Sequence, residues 1–331
     1  MTELVVLAWG GPWDRALREA VSDPFEAHTG VRVTHERHVG LDLPAQLADG
    51  RGISPVSVVW CNSVAGMRAA RAGRCLPLEP AEVPNLGGLH SLAKPAGFDG
   101  WPVVMVYAVA YVLVYRRSLF PDHPPDSWRV LLDERHRGRV ALYPHGNGIH
   151  AVAQVLGGGT LDTIPGDMTA CWRFLRALRT QVSTTEYSGG IVESLRNGAL
   201  DLAFRALPNA LGFQRAGLDV GWVAPREGVP DTLDCFWVPR GVPGEMVPRA
   251  MEYIDFALSE PVQRDWCARL GTVPVHRDSP APPMLGTATR TPRTLDDHEH
   301  LLHIPEAVKV AHHDEWRQRF AALLAAPGQL T

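Results

Sequence analysis

Residues Val103 to Tyr115 are an unbroken apolar run dominated by valine and tyrosine. β-Branched and aromatic residues at that density read as a strand. The run is longer than an ordinary strand of about five or six residues. It reads as a connection that leaves one lobe of the protein and enters another. On its N-terminal side, apolar strands at Leu4–Ala8, Val31–Thr34 and Val56–Trp60 alternate with helical patterns. Ala16, Leu17, Ala20 and Val21 have helical spacing, Leu41–Ala48 reads as a helix, and Val64–Ala72 is a third, closed by Gly73. Alternation of this kind predicts an α/β sheet.

Beyond the run, the pattern starts again. Trp128–Leu132, Ile149–Leu156, Thr169–Leu178 and Val192–Arg196 read as helices, and Val140–Tyr143, Leu200–Phe204 and Val220–Val223 as strands. A polar turn through Pro225 and Gly228 precedes a strand at Cys235–Val238 that returns the chain. Val247, Ala250, Met251, Ile254 and Leu258 form one apolar helix face. Residues 276–304 read as an irregular connection and Ala307–Ala326 as a final helix. A chain of 331 residues suits two cores better than one. The expected division is 1–107 in lobe one, 108–236 in lobe two, and 237–331, with its helices, back in lobe one.

Several function classes are disfavoured. The formal net charge is −4 and the Lys and Arg residues are scattered, so there is no basic stripe to follow a phosphate backbone. No apolar run is long enough to span a bilayer. Five widely spaced cysteines, with no CxxC, predict small core residues rather than a zinc or redox framework. Met1-Thr2-Glu3 runs directly into a strand with no basic region or cleavage site. The expectation is periplasmic or extracellular if this is a mature form, and cytoplasmic if Met1 is the native start.

Local patterns then narrow the reading. Leu7-Ala8-Trp9-Gly10-Gly11 is followed by Phe25-Glu26-Ala27-His28-Thr29-Gly30-Val31. Later come Leu195-Arg196-Asn197-Gly198-Ala199-Leu200-Asp201-Leu202-Ala203, then Ala224-Pro225-Arg226-Glu227-Gly228 with Asp234 and Val238-Pro239. Tyr253 to Gln263 and Gly271-Thr272-Val273-Pro274-Val275 complete the series. In this order the segments resemble the family 1 extracellular solute-binding proteins of ABC importers, especially the polyamine-binding branch. The resemblance implies an α/β, two-lobed, type II periplasmic-binding-protein-like fold with a hinge between the lobes. It implies capture of a small polar organic ligand in the cleft by hinge closure, delivery to the membrane permease of an ABC importer, a monomer, and no cofactor.

Candidate ligand residues follow from strand ends and from that resemblance. Trp9, Gly10 and Gly11 end a strand before a helix, where glycines admit a ligand to free backbone N–H groups; a plain turn is the alternative. Asn62 and Ser63 could touch ligand or cap the next helix. His145 and Asn147, in His145-Gly146-Asn147-Gly148, could hold an anionic group, as against a simple glycine turn. Phe204 and Arg205 follow a strand, and Arg205 could clamp a carboxylate or form a surface ion pair. Tyr107, like Tyr111, lies in the first crossing and could stack on ligand or pack the core. The resemblance implies that Asp234, just before the returning strand, pairs with a ligand amine; a turn cap is its alternative. The polyamine branch carries tryptophan where this chain has Thr232, and Arg205 would repel a polyamine. An amine-carboxylate would use both Arg205 and Asp234.

No metal site is predicted. His35, His38, His298, His300, His303, His312 and His313 lack a zinc spacing and read as exposed histidines. The ferric relatives' adjacent tyrosine pair is absent, as are GxSxG, GxGxxG and GxxxxGK[ST] patterns. The alternative functions are a cytoplasmic enzyme on the same fold, with His145, Tyr107, Arg205 and Asp234 in acid–base roles, and a cytoplasmic sensor or carrier.

Overall fold

The computed structural model describes residues 3–38, 56–187, 190–297 and 301–325. The helix expected at Leu41–Ala48 lies outside them. The chain forms two compact units. Unit 1 takes residues up to Val109, Thr232–Met284 and Arg293–Asp296. Unit 2 takes Ala110–Asp231, Leu285–Pro292 and the chain from Asp297 onward.

In unit 1, β1 (Glu3–Trp9) lies between β2 (Arg32–His38) and β3 (Val58–Asn62), both parallel to it. α1 (Pro12–Leu17), a π-helical turn (Arg18–Ser22) and α2 (Asp23–Thr29) join β1 to β2. Gly30 ends α2 with φ 70°, the left-handed conformation that glycine adopts without a Cβ penalty. α3 (Ser63–Arg71) follows β3 directly. The apolar run is β4, a single strand of 13 residues (Val104–Arg116). Its first part pairs with β10 (Val273–Pro274), and its second part belongs to unit 2. One strand thus serves two cores, which accounts for its unusual length.

In unit 2, β4 pairs antiparallel with β7 (Leu202–Ala206) and β8 (Val220–Val223). β5 (Val140–Leu142) pairs parallel with β7 and with β6 (Val182–Thr185). α4 (Ile149–Leu156), α5 (Thr169–Leu178), α6 (Ile191–Arg196) and α7 (Leu207–Arg215) complete it. Trp128–Leu132 is 3-10 rather than α-helical, and Ser127 Oγ accepts the Arg129 N–H at its start. β6 is only partly buried and polar, and α7 opens with Leu-Pro, so neither was legible from periodicity.

The return strand β9 runs from Val229 to Trp237, far longer than Cys235–Val238, and is buried throughout. Its first residues pair with β11 (Leu301–Leu302) and its last with β3, where Asn62 faces Asp234. α8 (Val247–Leu258) and α9 (Glu260–Leu270) belong to unit 1.

Residues 237–331 were expected to stay together in lobe one. The last helix, α10 (Glu306–Leu324), instead packs in unit 2. Trp316 and Phe320 lie 5.3 and 5.9 Å from the buried His150 ring, and the Arg319 guanidinium sits 4.4 Å over Trp172. A segment that reads as a helix carries no record of which neighbour will bury it.

Candidate functional site

In unit 1, three strands bring one carboxylate among aromatic rings. Asp234, 4 % exposed on β9, accepts hydrogen bonds at Oδ2 from Trp9 Nε1 and Tyr107 OH, each at 3.0 Å. Trp9 ends β1 and Tyr107 lies on β4. Burial, with the Asp234 charge adding to it, holds the Tyr107 phenol well above its usual range. Tyr107 is therefore a permanent donor. Trp9 lies 4.3 Å from His38 ring to ring, and Tyr107 meets Trp266 edge-on at 5.0 Å. Neutral donors and π faces around a buried carboxylate form a setting suited to an organic cation.

Asn62 closes β3 beside this carboxylate and caps α3: its Oδ1 accepts the Val64 N–H at 2.9 Å. Its Nδ2 donates to Thr232 Oγ1 at 2.6 Å. Asn62 and Thr232 thus satisfy each other, where an isolated amide and hydroxyl would be costly to bury. Ser63 is fully buried at the helix start. Gly11 has φ 69° ahead of Pro12, a conformation that side chains rarely adopt, so this turn requires glycine whatever else it does.

Unit 2 holds a buried cation. Arg205 is 0 % exposed. One terminal nitrogen donates to the Phe204 carbonyl at 2.8 Å and the other to the Glu186 carbonyl at 3.1 Å, while the guanidinium lies 4.7 Å over the Tyr143 ring. Its Nε has no hydrogen-bond partner, and no carboxylate forms an ion pair with it among the described residues. Burial lowers its pKa, offset in part by Tyr143 and Glu186. An arginine keeps its charge nonetheless. The surface ion pair considered from sequence is thereby replaced by a buried cation with no ion-paired carboxylate among the described residues, although the Glu186 charge acts on it.

Around Arg205, Phe204 stacks on Tyr111 at 5.0 Å and meets Trp128 at 5.2 Å. Asn147 Nδ2 donates to Tyr111 OH at 2.6 Å. His145 is half-buried, its ring 5.6 Å from Tyr187. Packing dictates the glycines of this turn: a Cβ on Gly148 would lie 2.7 Å from Tyr111, and one on Gly146 2.7 Å from His150. Tyr143 and Glu186 were not singled out from sequence, and Thr232 was noted only as the position where the polyamine branch has tryptophan. Tyr143 had a weak signal, an aromatic closing a strand just before Pro-His-Gly; Glu186 offers Arg205 its backbone carbonyl and a nearby charge, a meeting that sequence does not signal.

The histidines expected at the surface divide. His38 is buried in β2 and the His35 side chain keeps little exposed surface there, a correction that follows from their tertiary partners: His35 Nδ1 is 2.6 Å from Asp14 Oδ1, and His38 Nε2 donates to the Trp60 carbonyl at 2.8 Å. His313 also keeps little exposed surface. His303 Nδ1 bonds Asp231 at 2.8 Å. His298 and His300 lie outside the described residues. Among the described residues no group of three His, Cys, Asp or Glu side chains is placed to hold a metal.

One further array has the order of a hydrolase triad. Ser22 Oγ lies 2.8 Å from His35 Nε2, whose Nδ1 reaches Asp14. Ser22 is 0 % exposed within a helical turn, and Tyr253 OH fills its remaining side at 2.8 Å. A nucleophile needs a substrate carbonyl and free oxyanion donors. This array is a closed polar network that ties the π-helical turn to β2 and α8.

A model of the bacterial extracellular solute-binding protein family matches residues 20–291. None of the curated proteins matches the chain. Among solved structures, the chain is similar to the binding protein AgtB of A. tumefaciens R10 in complex with agropinic acid. The TM-score is 0.80 and the identity 18 %, covering 98 % of this chain and 99 % of that one. It is also similar to the Atu4243 GABA receptor, with a TM-score of 0.76, 18 % identity and 99 % of each chain covered. A third is a putative spermidine/putrescine ABC transporter protein from Listeria monocytogenes, with a TM-score of 0.68 and 17 % identity over 97 % of this chain and 99 % of that one. At such identities the likeness is one of fold.

Proposed function

Because the chain belongs to the bacterial extracellular solute-binding protein family, we propose that it captures a small amine-bearing organic solute and hands it to the permease of an ABC importer. The observation that carries the amine is the buried Asp234 carboxylate, fixed by Trp9 and Tyr107 and surrounded by rings. Trp9, Gly10, Gly11, Asn62, Ser63, Tyr107 and Asp234 are the ligand residues of unit 1. Phe204, Arg205, His145 and Asn147 are those of unit 2, where a buried guanidinium with no ion-paired carboxylate among the described residues suits an acidic group. A solute with an ammonium and a carboxylate has the complement of each. Solved neighbours in complex with agropinic acid, or titled for GABA, make that chemical class reasonable for this fold. Binding by closure of the two lobes, as a monomer outside the cytoplasm, goes with this reading; the enzymatic alternative has less support.

Calorimetric titration with putrescine, glutarate and γ-aminobutyrate tests it. The expected order places the amine-carboxylate first. A buried charge that loses its partner costs about 3–5 kcal/mol, so Asp234→Asn should weaken binding of the amine ligands by two or more decades. Unchanged affinity in Asp234→Asn and Asp234→Ala alike would remove Asp234 from the site, and the amine with it.

A further inference from the structure

Cys61 on β3 and Cys235 on β9 occupy directly paired positions of an antiparallel ladder. Both are free, buried thiols, with their sulfurs 3.9 Å apart. Directly opposed residues in such a ladder have Cα atoms about 4.5–5.5 Å apart, within the range a disulfide spans. The surroundings make room for the two sulfurs. A Cβ on Gly66 of α3 would lie 2.3 Å from Cys235 Sγ, so only glycine lets that helix cover the pair. Trp237 Nε1 donates to Cys61 Sγ at 3.4 Å and offers a donor to the negative charge that sulfur carries during exchange.

We infer that Cys61 and Cys235 are a modification site, a cross-strand dithiol that closes to a disulfide by exchange with an external disulfide. In the first step, one cysteine thiolate attacks a sulfur of the external disulfide, forms a mixed disulfide and expels one thiolate. In the second, the other cysteine attacks the protein sulfur of that mixed disulfide and expels the second thiolate. The protein loses two thiol protons and two electrons, and the external disulfide gains them as two thiols. Disulfides persist in oxidising, extracellular settings, and the family is extracellular by description.

The bond falls where the chain has just re-entered unit 1, since β9 crosses from Asp231 to Thr232. It would covalently bracket the whole excursion through Ala110–Asp231 and pin β9 to β3 one residue from the Asn62–Asp234 pair. Burial raises the Cys235 thiol well above its usual range, so exchange in the folded protein should be slow and should accelerate with rising pH. Cys75, also buried and pushed up to about 12 by burial, is the competing thiol.

The test is incubation of the full chain with hydroxyethyl disulfide under native conditions, followed by intact-mass measurement and peptide mapping without reduction. The expected product has lost two hydrogens, carries a Cys61–Cys235 linkage and melts several degrees higher than the reduced protein. Cys61→Ser and Cys235→Ala should show neither the linkage nor the shift. Hydroxyethyl adducts that never resolve, a linkage through Cys75, or reaction only after denaturation would each overturn the assignment.

Discussion

His150 offers a stability measurement whose size follows from its surroundings. Its ring is buried in unit 2 between Trp172, Trp316 and Phe320, at centroid distances of 5.4, 5.3 and 5.9 Å. Burial pushes its pKa down to about 4, with a hydrogen bond to Gly146 offsetting part of the effect. In the unfolded chain it titrates near 6.5. The unfolded state therefore takes up the proton first as pH falls. The stability this residue contributes is complete above about pH 6.5, is lost on descending from there, and stops falling below the folded value near 4. The linkage integral gives a loss of about 2 kcal/mol between about pH 7.5 and pH 5, and about 3 kcal/mol once both states are protonated. His35, which burial also lowers, has the same sign, so the wild-type slope alone does not isolate His150. The measurement is urea unfolding of wild type and His150→Phe at both pH values, read by tryptophan fluorescence, since Trp172 and Trp316 flank the site. Wild type should lose about 2 kcal/mol more than the variant. Parallel pH curves for the two proteins would show that His150 is not held neutral by its aromatic neighbours.

Three further outcomes test the two candidate clusters and the packing of α3 over the cysteine pair. Arg205→Met removes a buried cation whose Nε is unpartnered and which has no ion-paired carboxylate among the described residues, so the ligand-free protein should melt as high as wild type or higher while γ-aminobutyrate binding is lost; a large drop in melting temperature would mean that the guanidinium's backbone bonds and the Glu186 charge outweigh its desolvation. Tyr107→Phe deletes one of the two ring donors on Asp234, and denaturant unfolding should show a loss of about 1.5–3 kcal/mol, the usual worth of a hydrogen bond to a charged group. Gly66→Ala drives a methyl into Cys235 Sγ and should cost about 1–3 kcal/mol by calorimetry. Adding Cys235→Ala should recover part of it, and a double variant no better than the single one would place the strain elsewhere.

The class of fold was legible in the amino-acid order alone. Apolar periods, glycine stops and a 13-residue apolar strand are short-range signals, and each survives in the folded protein because the local backbone obeys them. Segments resembling one family, in order along the chain, agreed with a family model covering residues 20–291. Trp9, Tyr107, Arg205 and Asp234 were legible as residues of the right chemistry at strand ends and crossings. What the sequence could not state is which of them meet. Trp9 and Asp234 are 225 residues apart, and Tyr107 and Asp234 127. Nor did it show that Asp231, Thr232 and Asp234 sit in a buried strand. Burying a polar residue is costly unless it has a partner. A run of such residues therefore reads as a turn until the partners, His303, Asn62, Trp9 and Tyr107, are in place. The same holds for Arg205, read as a cleft or surface cation but enclosed with no ion-paired carboxylate among the described residues, and for the last helix, which was legible as a helix while its neighbour was not. Tertiary structure decided these because burial energy depends on the contact made, and a contact belongs to two segments at once.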